Sequence, residues 1–298
     1  MKRDYYPFSK AKEGKPINGI AQLEKGPIEY RFVGQGSPVL VLNGGHTNCN
    51  SPFGHEQFFL DQGCQLVIPS RPGYGKTPSS TGRTAEAFAD ALVGLLDHLH
   101  LERVILIGIS GAGPTALQLA GRHPERVSKL ILQNAVTGGR FPAHRTRLLA
   151  YLVFNPLVER WAWAAFRAFA RVAPLRALTS MMASLSSLDP AQVVATMSEE
   201  QQQAALTLLL ALRSGSGFLH DLRHRCGDLR HITAPALIIR SKYDGSMGAS
   251  HASYAADHIP DAELFVSPAE SHLLWFSSYN ATIEEKMRAF LQVSRVSG

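Results

Sequence analysis

The sequence has few of the features that mark disulfide-stabilised or exported proteins. Its 298 residues include only three cysteines, Cys49, Cys64 and Cys226, which are too few and too widely spaced for a disulfide framework. The odd number favours free thiols in a reducing compartment. The basic amino-terminal residues carry no apolar stretch of the kind found in signal peptides. We therefore expect a cytoplasmic protein.

Long apolar runs are also missing. Every window of about 20 residues contains charges or helix breakers. The nearest to a membrane span, residues 148–170, is interrupted by Asn155 and Pro156 and carries Glu159 and two arginines. The sequence therefore predicts no membrane-spanning helix.

The charge balance is mild and gives no sign of a nucleic-acid partner. Thirty lysines and arginines against 24 acidic residues leave a net charge of +6, which would fit an attraction to anionic surfaces but is not a nucleic-acid signature without a clustered basic patch. Hydrophobic residues make up 45% of the chain, which is enough to bury a full core and excludes a disordered or collagen-like chain.

Short apolar runs alternate with helical patterns in two parts of the chain. Residues 1–26 are polar and predict an arm or loop, and residues 28–33 predict a half-buried strand. Buried strands are predicted at residues 38–42, 65–68, 104–109 and 129–132, and further strands at residues 236–239 and 263–266. The alternation predicts an α/β fold, a mostly parallel sheet with helices on both faces.

The alternation is interrupted between residues 139 and 231. This stretch is rich in alanine, leucine and arginine and has no strand-like run, so we expect several helices there. The predicted organisation is a sheet domain formed by residues 1–138 and 232–298, with a helical cap inserted at residues 139–231.

The most informative stretch surrounds Ser110. A strand leads directly into this serine, and a helix begins at once. Such a sharp turn requires small residues two positions away on either side, and these are Gly108 and Ala112. The turn presents the hydroxyl above the sheet, beside a helix N-terminus whose N–H groups can stabilise an oxyanion. The pattern predicts a nucleophilic serine.

The same glycines allow other interpretations. A phosphate-binding loop would need a lysine where Pro114 stands, and is rejected. A dinucleotide fingerprint is compatible with Gly111, Gly113 and Ala116, although the next strand ends without an acidic residue for a ribose. The third possibility is that the turn at Ser110 has only a structural role and carries no chemistry.

The strand, serine and helix around Ser110 resemble the nucleophile elbow of the α/β-hydrolase family, the sharp strand-to-helix turn that carries its catalytic serine. The family's elbow reads G-x-S-x-G, and here Ala112 stands in place of the last glycine. The resemblance implies the chain order Ser, acid, His. Asp244 follows the strand at residues 236–239, and His272 follows the last strand. Asp257 and Asp261 are the other local acids. The implied triad is Ser110, Asp244 and His272, with a capping or surface role as the alternative for the histidine.

The resemblance also implies an oxyanion hole. Residues 43–46, Asn-Gly-Gly-His, stand where the family has a His-Gly loop, so the N–H groups of Gly45 and Gly111 are the implied donors. His46 either faces the pocket or is an exposed loop residue. Residues 70–75 resemble the family's loop after the third core strand, to which we assign a structural role.

No metal or cofactor is expected. His220, His224, Cys226 and His231 lie close together in sequence, but they lack C-x-x-C spacing and the stretch is rich in arginine. We interpret this stretch as a solvated helix end.

The predicted insertion contains many aromatic residues. Trp161, Trp163 and Phe166 are candidates for an apolar pocket wall, or else form the core of the insertion. The resemblance implies a serine hydrolase that cleaves a carboxylic ester or lactone of a small, largely apolar substrate through an acyl-enzyme. The alternatives are a non-catalytic hydrolase-fold binding protein, a proline-type aminopeptidase and a dinucleotide-binding oxidoreductase.

Overall fold

A computed structural model describes residues 16–138, 151–155 and 157–293. Within this part of the chain, eight strands form one sheet in the order β1-β2-β4-β3-β5-β6-β7-β8. The strands are β1 (Ile17–Leu23), β2 (Gly26–Gly34), β3 (Ser37–Leu42), β4 (Cys64–Pro69), β5 (Val104–Ile109), β6 (Val127–Gln133), β7 (Ala236–Ser241) and β8 (Ala262–Ser267). The pairs β1–β2 and β2–β4 are antiparallel, and all other pairs are parallel.

Helices cover both faces of the sheet, as the alternating pattern predicts. The helices of the described residues include α1 (Glu56–Asp61), α2 (Ala85–His98), α3 (Gly113–Arg122), α4 (Glu159–Val172), α5 (Pro174–Leu185), α6 (Pro190–Thr196), α7 (Glu199–Ala211), α8 (Gly217–Asp221), α9 (Ala249–His258) and α10 (Asn280–Gln292). Apolar side chains of α2, α3 and α9 pack on one face, and those of α1 and α10 pack on the other. The central strands are buried on both sides because their residues are apolar throughout.

The prediction of a loop over residues 1–26 is wrong for its last part. Residues 17–23 form the edge strand β1, which pairs with β2 along its whole length. This strand is only half-buried and contains Asn18 and Gly19, so it lacks the apolar run typical of the inner strands. Residues 1–15 lie outside the described part.

Helices α4 to α8 lie between β6 and β7 in the chain and are called the inserted helices below. Their apolar side chains form a cluster of their own, centred on Leu178, Met182 and Leu209, which also contacts Leu273 and Phe276. The inserted helices therefore pack over the loop that follows β8. Residues 139–150 and 156 of the predicted insertion lie outside the described part.

Among the described residues, no helix combines the length and the apolar character needed to cross a membrane.

Candidate active site

Ser110 lies at the abrupt junction between β5 and α3. Its backbone has a φ of 52°, in the left-handed region that residues other than glycine rarely adopt. A Cβ atom on Gly108 would approach the Cβ of Ala116 to 2.6 Å, and one on Gly113 would approach the carbonyl oxygen of Val136 to 2.0 Å. The junction is therefore possible only because two close approaches are made by glycines. The sequence pattern identified Gly108 but not Gly113 as a contact of this kind.

Asp244 and His272 are brought together by the loops that follow β7 and β8. His272 Nδ1 lies 2.7 Å from Asp244 Oδ2. Asp244 Oδ1 accepts hydrogen bonds from the backbone N–H groups of Ser246 and Met247 at 2.8 and 2.9 Å. Burial raises the pKa of Asp244, but His272 and these hydrogen bonds outweigh it and hold the pKa below its ordinary value. The carboxylate is thus kept ionised beside the imidazole.

The inserted helices are joined by backbone hydrogen bonds to both of these loops. The carbonyl of Leu185, at the end of α5, accepts from the N–H of His272 at 2.7 Å and from that of Gly245 at 3.2 Å. The next residue, Ser186, forms an isolated β-bridge with Asp244. The end of α5 therefore fixes the backbone that carries the acid and the base.

Ser110 and His272 both line a cavity of about 830 Å³ between the sheet and the inserted helices. Most of its wall is apolar, and the large apolar residues are Phe53, Ile109, Phe154, Trp163, Phe166, Met181, Leu185, Leu208, Leu212, Phe218, Leu222, Met247, Leu273 and Trp275. Many of these residues lie on the inserted helices, and the sequence alone does not show which side of each helix faces the cavity. The cavity can hold a small, largely apolar molecule next to the serine.

The loop of residues 43–46, called the glycine loop below, runs beside the serine. A Cβ atom on Gly44 would lie 3.2 Å from Cβ of Ser110, and one on Gly111 would lie 3.9 Å from the backbone nitrogen of Gly45. The two glycines for which the sequence implies oxyanion donors are therefore neighbours at the cavity wall.

His46 is part of the cavity wall and is not an exposed loop residue. Its ring centroid lies 4.1 Å from that of Phe218 and 4.7 Å from that of Phe154. Its Nδ1 is 2.7 Å from Ser214 Oγ, which also accepts a hydrogen bond from Trp163 Nε1 at 2.7 Å. Burial lowers the pKa of His46 to about 4, despite the opposing charge of Asp221. The imidazole is neutral at pH 7.

The three aromatic candidates on α4 differ in whether they face the cavity. Trp163 and Phe166 line the cavity. The prediction that Trp161 contributes to the pocket is wrong, because its side chain is 67% exposed and is not part of the wall. Two residues along a helix correspond to a rotation of about 200°, so Trp161 and Trp163 point in nearly opposite directions.

A buried ion pair that the sequence did not predict lies next to the glycine loop, on the side of the carbonyls of Asn43 and Gly44. Arg71 Nη1 is 2.5 Å from Asp221 Oδ1, and the two side chains are 2% and 6% exposed. The hydroxyl of Tyr74 donates to Asp221 Oδ2 at 2.7 Å. Arg71 and Tyr74 lie in the loop assigned a structural role, whereas Asp221 is 150 positions away in sequence and carried no signal.

The stretch from His220 to His231 is not simply a solvated helix end. The His224 side chain is 1% exposed, and neither ring nitrogen has a hydrogen-bond partner. Burial lowers its pKa to about 4, although Asp221 opposes this. Among the described residues, no three His, Cys, Asp or Glu side chains are grouped closely enough to hold a metal ion.

The comparisons with known proteins agree with this architecture. The chain is 36% identical over 275 residues to an uncharacterized hydrolase, YcgS, of Bacillus subtilis, covering 91% of this chain and 96% of that protein. It is 28% identical over 263 residues to a 2-hydroxy-6-oxononadienedioate/2-hydroxy-6-oxononatrienedioate hydrolase of Paraburkholderia phymatum, covering 81% and 83% of the two chains.

An α/β-hydrolase fold protein from Nakamurella multipartita superimposes with a TM-score of 0.78 at 24% identity, covering 92% of this chain and 99% of that one. The family described as alpha/beta hydrolase fold matches residues 35–278, which is most of the chain. The resemblance seen in the sequence and the predicted α/β architecture are both confirmed, and the protein belongs to the α/β-hydrolase fold family.

Proposed function

We propose that the protein hydrolyses a carboxylic ester or lactone of a small, largely apolar substrate through an acyl-enzyme on Ser110. The observation that carries the proposal is the Asp244–His272 pair, which meets the serine of the elbow at one apolar cavity. A serine hydroxyl becomes nucleophilic only with a base, and the base needs a group that fixes its orientation.

The chemistry follows from the positions of these groups. His272 removes the proton of Ser110, whose oxygen attacks the substrate carbonyl, and the N–H groups of Gly45 and Gly111 stabilise the resulting oxyanion. The C–O bond to the alcohol breaks as His272 returns the proton to the leaving oxygen. A water molecule, deprotonated by His272, then releases the acid and restores Ser110.

The charges around the cavity favour an uncharged substrate. Among the described residues that line it, Arg225 is the only arginine or lysine and Asp221 the only acid. Because Asp221 is engaged by Arg71 and Tyr74, it is not available to bind the ammonium group of a peptide. This disfavours the aminopeptidase alternative.

A second candidate is the hydrolysis of a 2-hydroxy-6-oxo acid. It rests on the 28% identity with the Paraburkholderia phymatum enzyme, whose name specifies such a substrate. That substrate is a dicarboxylate, for which the described wall offers one exposed arginine.

The test of the proposal is intact mass after treatment with a fluorophosphonate, followed by a panel of esters, lactones and a 2-hydroxy-6-oxo acid. We expect the wild type to gain one label and Ser110→Ala none, with ester turnover reduced on the order of 10⁶-fold. His272→Ala should label far more slowly. Ser184→Ala is the matched control, because this serine lines the same cavity.

Failure of the folded wild type to label would overturn the proposal and favour a non-catalytic binding protein. Labelling that persists in Ser110→Ala would assign the reactive serine elsewhere.

A further inference from the structure

We propose that Asp221, a carboxylate supplied by the inserted helices, is a positioning residue for the oxyanion hole. It acts through Arg71 and Tyr74, which hold the glycine loop. This inference rests on the proposed function, because it concerns the donors that stabilise the oxyanion of that reaction.

Two side chains, those of Arg71 and Tyr74, form hydrogen bonds with the backbone of the glycine loop. Arg71 donates from Nε to the carbonyl of Asn43 at 2.8 Å and from Nη2 to the carbonyl of Gly44 at 2.9 Å. The backbone N–H of His46 donates towards the hydroxyl of Tyr74. The carbonyl of Gly44 and the N–H of Gly45 belong to the same peptide group, and in a trans peptide they point in opposite directions. Because Arg71 binds that carbonyl, the N–H of Gly45 points away from Arg71.

Asp221 holds both of these side chains. One carboxylate oxygen pairs with Arg71, and the other accepts a hydrogen bond from Tyr74. Together with the carbonyls of Asn43 and Gly44, the carboxylate gives the three nitrogens of the Arg71 guanidinium one acceptor each. A buried arginine without a counter-charge is strongly unfavourable, so this arrangement of Arg71 depends on Asp221. The same carboxylate lies 3.6 Å from the position that a Cβ on Gly111 would occupy. It therefore lies next to Gly111, while its partner Arg71 binds the carbonyl of the peptide whose N–H belongs to Gly45.

The electrostatics explain why the carboxylate must be paired. An unpaired carboxylate this close to Gly111 would repel the oxyanion that the N–H of Gly111 is proposed to bind. The Arg71–Asp221 pair has no net charge and avoids this repulsion. Oxyanion donors act only when they are placed within hydrogen-bonding distance of the oxygen in the transition state. A small displacement of the glycine loop therefore affects the rate of the chemical step more than substrate binding.

The experiment compares Asp221→Asn with Asp228→Asn, a matched control in the same segment whose exposed carboxylate pairs with Arg230. Turnover of a p-nitrophenyl ester and the rate constant of fluorophosphonate labelling are measured for both, with melting temperatures. We expect Asp221→Asn to lower kcat and the labelling rate each by about 10²- to 10³-fold, with KM within about threefold. Asp228→Asn should match the wild type.

Tyr74→Phe supplies a milder variant in case Asp221→Asn does not fold. It removes one hydroxyl and keeps the ring, and should lower kcat in the same direction by about 10-fold without changing KM. Normal kcat in folded Asp221→Asn, or a rise in KM alone, would overturn the inference. A wild type that is not labelled would instead refute the proposed function, so the two failures can be told apart.

Discussion

At the scale of single residues, the elbow depends on a backbone contact that allows no side chain. The N–H of Val136 donates to the carbonyl of Ser110 at 2.9 Å, while the carbonyl oxygen of Val136 faces Gly113. The strained serine is thus held by the segment that follows β6. A side chain at Gly113 would therefore collide with Val136, the residue whose N–H binds the carbonyl of Ser110.

We therefore expect Gly113→Ala to lower the free energy of unfolding by about 1–3 kcal/mol, or more, since the added methyl meets backbone at 2.0 Å. Urea denaturation measures this, and ester turnover should fall with it. Gly94→Ala in α2 is the control, because its methyl would meet only Leu23 at 3.8 Å. That variant should gain roughly 0.5–1 kcal/mol. A similar effect at both glycines would contradict the interpretation of the elbow.

The sequence allowed some of these residues to be predicted and not others. Ser110, Asp244 and His272 each follow a predicted strand, so topology alone brings them to one edge of the sheet. Their roles stay predictions until the labelling experiment is done. Asp221 could not be predicted as the partner of Arg71, because nothing in a short helix 150 residues away distinguishes its carboxylate from an exposed one.

At the scale of elements, helix α4 has one face in the cavity wall and another face exposed to solvent. Trp163 and Phe166 are three residues apart and lie on the same face, towards the cavity. Trp161 lies on the opposite face. The sequence predicted helices here but not the rotation of α4. Arg160, Arg167 and Arg171 share one face of α4, and Trp161 and Trp163 stand on either side of that face, so the pattern does not show which tryptophan faces the cavity.

This contrast provides a test within one helix. Trp163→Leu removes aromatic surface from the cavity wall and should raise KM for an aromatic ester about 10-fold, with a smaller effect on an acetate ester. Trp161→Leu makes the same replacement at the exposed position and should leave both KM values within twofold. Steady-state kinetics with the two esters measure the difference. Equal changes in the two variants would show that the cavity does not bind the substrate.

At the scale of the whole molecule, buried histidines link stability to pH. Burial lowers the pKa of His46, His55 and His224 to about 4. His55 is fully buried, and its two ring nitrogens are 3.0 Å from Asn280 Oδ1 and 3.2 Å from Gln133 Nε2. These imidazoles are neutral in the folded protein at a pH where the unfolded chain already binds protons.

The free energy of unfolding should therefore be fully retained above pH 6.5 and fall as the pH decreases from 6.5 towards 4. Each such histidine contributes a slope of up to about 1.4 kcal/mol per pH unit in that window. Urea denaturation at pH 7.5, 6 and 5 measures the slope. His55→Gln should be less stable at pH 7.5 but lose stability more slowly on acidification. An unchanged slope would show that His55 does not stay neutral in the fold.

The backbone connections at the end of α5 have a consequence for how this scaffold can diversify. Because Leu185 and Ser186 are bonded to the segments that carry His272 and Asp244, the junction cannot be exchanged without disturbing the acid and the base. Within the described part of the chain, α4 forms no hydrogen bond to these two segments, and α7 forms only a long one, from Gln201 Nε2 to the carbonyl of Ser277 at 3.4 Å. New substrate preferences are therefore accessible by replacing wall residues of α4 and α7, or by grafting those helices, as long as residues 185–187 are transplanted unchanged.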